Sequence, residues 1–190
     1  MTENSKTIAV LDACVLYSAF MRDILLNLAE QGIYEPKWSE IITDEWLRNL
    51  LKNRSDLKET NLGRTIRFMN HFFPYANTIN FDQHMPIIQL PDTDDRHVVA
   101  CAIQCEAEVI VTTNLKDFPS DELAKFGITP QHPDDFICDL FATKKEAAIT
   151  AFKVQLEKLR NPPQTKEELL ETFKRNGLMK AAELFAQNTE

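Results

Sequence analysis

Apolar residues in this chain fall into two rhythms. Short β-branched runs end abruptly at a polar side chain, and longer stretches place apolar residues three and four apart. Residues 6–11 (K-T-I-A-V-L) and 107–113 (A-E-V-I-V-T-T) have the first rhythm and predict buried strands. The second begins after Asp12, where Ile24, Leu25, Leu28 and Ala29 lead to Gly32. It returns in residues 40–52, opened by Ser39 as a helix cap, and in a following helix through Leu62, Ile66, Met69 and Phe73. A central helix shows Val98, Val99 and Ala102 as its buried stripe. Residues 78–81 and 127–129 predict two further short strands. Pro133 opens a helix with Asp134 and Asp135 in its first turn and Phe136, Ile137 and Leu140 for packing.

Strands alternating with helices predict an α/β fold with a parallel sheet. From residue 142 onward the strands stop. Residues 143–160 predict an amphipathic helix ended by Asn161, Pro162 and Pro163. Thr165 and Glu168 form a capping box for another helix, and residues 178–185 a last one. The expected division is a domain over 1–141 and a helical extension over 142–190.

A composition of 44% hydrophobic and 26% charged residues is that of a folded globular chain. No run approaches the roughly 20 apolar residues of a membrane span, and the polar start, M-T-E-N-S-K-T, has no apolar leader, so a cytoplasmic protein is expected. A net charge of −8 argues against a broadly basic nucleic-acid binder, although residues 48–67 reverse the sign locally with six basic residues against two acids. Cys14, Cys101, Cys105 and Cys138 have no zinc-like spacing, and Cys101 and Cys105, four apart on the central helix, read as buried thiols rather than metal ligands.

Acidic residues stand where structure alone does not ask for them. Asp12 ends the first strand, at the sheet edge where ligands bind in open α/β folds, though a turn or cap would also place an aspartate there. Glu45 projects between the directions of Ile41 and Ile42, inside the apolar arc of its helix, with Arg48 or Arg22 as the alternative partner. Glu40 and Asp44 face water. In P-D-T-D-D-R-H-V-V-A-C-A, Asp92 reads as an N-cap with Asp95 at the third helical position, and Asp95 begins the inward stripe. Asn114 and Asp117 follow the second strong strand. Carboxylates converging at one sheet edge would repel one another, and Mg²⁺ or Mn²⁺, which prefer oxygen ligands, would relieve that repulsion and activate water.

V-L-D-A, E-W-L-R-N-L, D-x-D-D-R-H-V-V-A-C-A and V-I-V-T-T-N-L-K-D-F resemble the successive motifs of PIN-domain ribonucleases, and within them the VapC-type toxins of toxin–antitoxin modules. The resemblance covers residues 6–140. It implies an α/β/α sandwich with a central parallel sheet, Mg²⁺- or Mn²⁺-dependent cleavage of RNA, and a cognate antitoxin, and it leaves room for a homodimer. Carried over, it makes Asp12, Glu45, Asp95 and Asp117 catalytic and Asp12, Glu45, Asp92, Asp95, Asn114 and Asp117 metal-ligating. The family's T-x-D would put an aspartate at 114. Asn114 stands there instead, so either Asp117 supplies the missing charge or the site holds only one metal firmly, with Thr112 and Thr113 orienting water or metal.

Two rival readings remain. A degenerate PIN-like module would hold RNA or a protein without cutting, which Asn114 motivates. A phospho-acceptor domain would use Asp12 alone and leave Glu45 and Asp95 without a shared purpose.

Overall fold

In a computed structural model describing residues 6–160 and 162–189, four short strands form one parallel sheet in the order β2-β1-β3-β4. The strands are β1 (Ile8–Leu11), β2 (Glu35–Lys37), β3 (Val109–Val111) and β4 (Thr129–Gln131). Every residue of β3 is buried, as a strand covered by helices on both faces requires. The polar start Met1–Ser5 and the helix-ending Asn161 lie outside the described residues.

Helices α1 (Ala13–Tyr17) and α2 (Ala19–Glu30) link β1 to β2, and Ser18 divides them, its hydroxyl accepting from Met21 N at 3.3 Å. Helices α3 (Glu40–Asn53) and α4 (Glu59–Phe72) follow β2, and Ser39 caps α3 as its sequence predicts. Helix α5 (Arg96–Gln104) leads into β3, and a short α6 (Ser120–Leu123) precedes β4. Helices α7 (Pro133–Thr143), α8 (Lys145–Lys158), α9 (Lys166–Arg175) and α10 (Met179–Asn188) complete the chain. The Thr165–Glu168 capping box is formed in full. Among the described residues no helix is long and apolar enough to cross a membrane.

Three expectations about elements need correction. Residues 35–37 form a strand that their sequence, with two charges and a proline, does not announce. An edge strand tolerates Pro36 because one of its sides makes no ladder bonds. Residues 78–81 form no strand: pairing there stops at a single Trp38–Asn77 bridge, after which Asn80 turns to φ 60°. The last strand lies at Thr129–Gln131, two residues beyond 127–129, because Gly127 is spent on a left-handed turn at φ 73°.

The expected division at 141/142 falls inside α7. The last four helices share the core of the sheet region through aromatic packing. Phe20 of α2 meets Phe173 of α9 edge-on at 4.9 Å between ring centroids, and Phe152 of α8 stacks on Phe185 of α10 at 4.7 Å. Asp134 adds a polar tie: its two carboxylate oxygens accept from Lys180 N at 3.0 Å and Ala181 N at 2.9 Å. Helix α10 has no side-chain cap from its own Leu178, so this buried acid from α7 fills that role.

The order of strands fixes where a site can form. From β1 the chain turns through α1 and α2 to β2 on one side, whereas from β3 it proceeds to β4 on the other. The carboxyl ends of β1 and β3 therefore flank the switch point, where the two connections part and leave a crevice.

Candidate active site

Asp12 follows the last residue of β1 at that crevice, and Thr112 follows the last residue of β3. The ladder carries one step past the strands, with Asp12 N donating to Val111 O at 3.1 Å and Thr112 N to Gln131 O at 2.9 Å. Asp12 is 6% exposed and its carboxylate is fully engaged. Oδ1 accepts from Ala13 N at 2.7 Å, which makes Asp12 the N-cap of α1. Oδ2 accepts from Thr112 Oγ1 at 2.7 Å and from Cys14 Sγ at 3.0 Å. Both the capping role and the strand-end placement read from the sequence are thus present in one residue. Burial raises the Asp12 pKa above the usual carboxylate range, against the lowering effect of its thiol, hydroxyl and amide donors. Burial beside that carboxylate also pushes the Cys14 thiol up to about 11, so it is a donor and no nucleophile.

Glu45 comes from the first half of α3. It is half-buried beside a buried Ile42 and an exposed Ile41, at the edge of the apolar arc, while Glu40 and Asp44 are exposed as expected. Neither arginine proposed from the sequence pairs with it. Arg22 donates to Leu16 O at 2.8 Å and lies over the Trp46 ring at 5.0 Å, and Arg48 Nε donates to Asp44 O at 3.3 Å. The group that meets Glu45 is His97 of α5, with Nε2 3.3 Å from Glu45 Oε2.

The Asp92–Asp95 segment departs from its capping reading. Helix α5 starts at Arg96, so Asp95 itself occupies the N-cap position, and its side chain makes no cap hydrogen bond. Asp92 Oδ1 accepts from Asp94 N at 2.9 Å, a local turn four residues before the helix. The bend at Pro91–Thr93 delays the helix and turns Asp95 away from its own amides. Its carboxylate is left for the crevice. Burial, followed by the charges of Asp12, Asp92, Glu45 and Asp117, raises the Asp95 pKa to about 6. These are the acids singled out in the sequence, and Asp95 feels all of them.

Asn114 and Asp117 are joined directly, Asn114 Nδ2 donating to Asp117 Oδ2. Asn114 N also donates to Thr112 Oγ1 at 3.0 Å, which ties this turn to the Asp12 network. An open cleft of about 490 Å³ is lined by Glu45, Asp92, Asp94, Asp95, His97 and Arg48 among others. A second, of about 300 Å³, holds Cys14, Tyr17, Asn49, Asn53 and again Glu45. Glu45 belongs to both. His97 and Cys14 escaped the sequence reading because a lone His and a lone Cys carry no spacing signal. Their partners, Glu45 and Thr112, are 52 and 98 residues away.

The donor set suits a hard divalent cation: carboxylates, with an amide and hydroxyls behind them, and one acid whose pKa is raised by burial and then by its acidic neighbours. Among the described residues no three acidic, His or Cys side chains close around a common point.

The PIN domain family model matches residues 8–116, and the VapC50 C-terminal domain model matches residues 133–187. A Mycobacterium tuberculosis protein named "Putative ribonuclease VapC50" is 44% identical over 79 residues, covering 42% of this chain and 47% of that protein. The chain thus aligns with about half the length of that relative. No solved structure matches the chain. The PIN match spans more than half of the 190 residues and contains Asp12, Glu45, Asp92, Asp95 and Asn114. The chain belongs to the PIN-domain family.

Proposed function

We propose that this protein is a Mg²⁺- or Mn²⁺-dependent endoribonuclease and the toxin of a toxin–antitoxin pair. The observation that carries the reading is the set of acids acting on Asp95 at the β1/β3 switch point. The PIN membership and the likeness to the VapC50 relative support ribonuclease chemistry and, by extension, an antitoxin partner and a cytoplasmic setting.

In this reading Asp12, Glu45 and Asp95 hold the ion, with Asp92, Asn114 and Asp117 around them, and Asp12, Glu45, Asp95 and Asp117 serve catalysis. The ion would supply Lewis acidity and a lowered pKa for bound water. The protein's own part is positioning. Thr112 and the Ala13 amide fix the Asp12 carboxylate, and Asn114 fixes Asp117. Arg48 on the cleft wall, with Lys52 beyond it on α3, offers positive charge for an RNA backbone in a chain that is otherwise acidic. The reaction is hydrolysis: a water oxygen bonds to phosphorus and one P–O ester bond breaks. Residues 1–141 would carry the chemistry and residues 142–190 the extension, and a homodimer is compatible with this assignment.

Purified protein with Mn²⁺ should cleave RNA, and Asp12→Asn should lose that cleavage by at least a hundredfold while keeping its circular dichroism spectrum. Unimpaired cleavage by Asp12→Asn would sink the proposal. A second reading, a PIN-like module that binds RNA without cutting, is favoured by Asn114 alone. It would show RNA binding without cleavage and no heat of Mn²⁺ binding at millimolar concentration.

A further inference from the structure

His97 is buried, 8% exposed, two residues beyond Asp95, and it bridges α5 to α3 through Glu45. Its two ring nitrogens have unlike surroundings. Nδ1 is buried with no partner, whereas Nε2 faces Glu45 Oε2 at 3.3 Å. A hydrogen on Nδ1 would be sealed away from any acceptor, the costlier of the two orphans, so the geometry assigns the hydrogen to Nε2. Among the described residues His97 is the basic side chain within ion-pair distance of Glu45. Both arginines near that helix are committed to backbone carbonyls.

Glu45 has three rotatable side-chain bonds and sits half-exposed at the junction of two open clefts. Without a partner it would sample solvent-facing rotamers, and an ion would have to immobilise it on binding. A fixed donor removes part of that cost in advance. We propose that His97 is a positioning residue whose Nε2–H holds the Glu45 carboxylate in the cleft it shares with Asp92 and Asp95, and so sets the affinity of that cleft for a divalent cation. The proposal rests on the metal-site reading above. A histidine kept only to fill the core would not need its Nε2 to stand 3.3 Å from an acid at the cleft wall.

Calorimetric titration of the full chain with Mn²⁺, in the absence of RNA, tests it with a pair of variants. His97→Gln carries an amide nitrogen near the place of Nε2, and His97→Asn carries one near the place of Nδ1, short of Glu45. His97→Asn should weaken Mn²⁺ binding by about tenfold, the usual effect of losing such an outer partner, and His97→Gln should stay within about threefold of the parent. Equal affinities for all three proteins overturn the role of His97. Equal weakening in both variants overturns it too, because ring shape rather than the Nε2 donor would then matter. Glu45→Gln is the control on the underlying reading. If it binds Mn²⁺ like the parent, the metal-site assignment of Glu45 itself fails. If it binds weakly while His97→Asn does not, the His97 inference fails alone. Thermal melts in EDTA identify any variant that has lost its fold, and the Gln/Asn comparison then rests on the folded one against the parent.

Discussion

Asp95→Asn should stabilise the metal-free protein, and the gain should depend on pH. Asp95 has an ordinary carboxyl pKa of 3.8 when unfolded and about 6 in the fold, raised by burial and by Asp12, Asp92, Glu45 and Asp117. A folded pKa above the unfolded one means that stability is fully present below about pH 4 and is lost as pH rises through about 6. The shift of about 2 units corresponds to a ceiling of about 3 kcal/mol at pH 7.5. The side chain is only half-buried, and solvent screening cuts that to about 1 kcal/mol. Asparagine matches aspartate in size and in capping ability, so the substitution removes the charge alone. In EDTA at pH 7.5, Asp95→Asn should melt about 2–4 °C above the parent, with the difference vanishing near pH 4. Added Mn²⁺ should reverse the order, raising the melting temperature of the parent more than that of the variant. A variant that melts at or below the parent at pH 7.5, or that gains equally at both pH values, refutes the idea that Asp95 sits in uncompensated repulsion.

Two predictions concern the helices after β4. Asp134→Ala removes the acid that caps α10 from α7 and leaves the amides of Lys180 and Ala181 unpaired. The cost should be about 2 kcal/mol, a fall in melting temperature of about 4–8 °C. Phe173→Ala deletes a fully buried ring that touches Phe20, Phe152 and Phe185, and should cost about 3–5 kcal/mol. Because these rings join α9 to α2, the loss should appear as one cooperative transition at lower denaturant. An early separate transition of the C-terminal helices would contradict the shared core.

Local rules sufficed wherever an element is long or chemically marked. β1 and β3 are apolar runs with only one way to be satisfied, α3 begins at a serine cap, and α9 begins at a capping box. β2 and β4 were harder to read because each is three residues long, contains a proline and lies at a sheet edge. Their strand character comes from the neighbour they pair with, which local composition does not encode. Asp12, Glu45, Asp92, Asp95, Asn114 and Asp117 could be singled out as acids or amides out of place, because charge at a strand end or in an apolar arc is visible in one dimension.

What joins those residues was decided in three dimensions. Asp12 takes its hydroxyl donor from Thr112, 100 positions along the chain, only because β1 and β3 are paired. Glu45 meets His97 rather than an arginine because α3 packs on α5 while Arg22 is drawn to Leu16 and Trp46. The sequence by itself determined the parallel α/β plan and which acids to suspect, since hydrophobic period and charge placement are local properties. Only the tertiary structure decided that Asp95 caps nothing, that its carboxylate feels four other acids, and that a histidine stands behind Glu45. Those facts depend on the distance between segments that the chain brings together last.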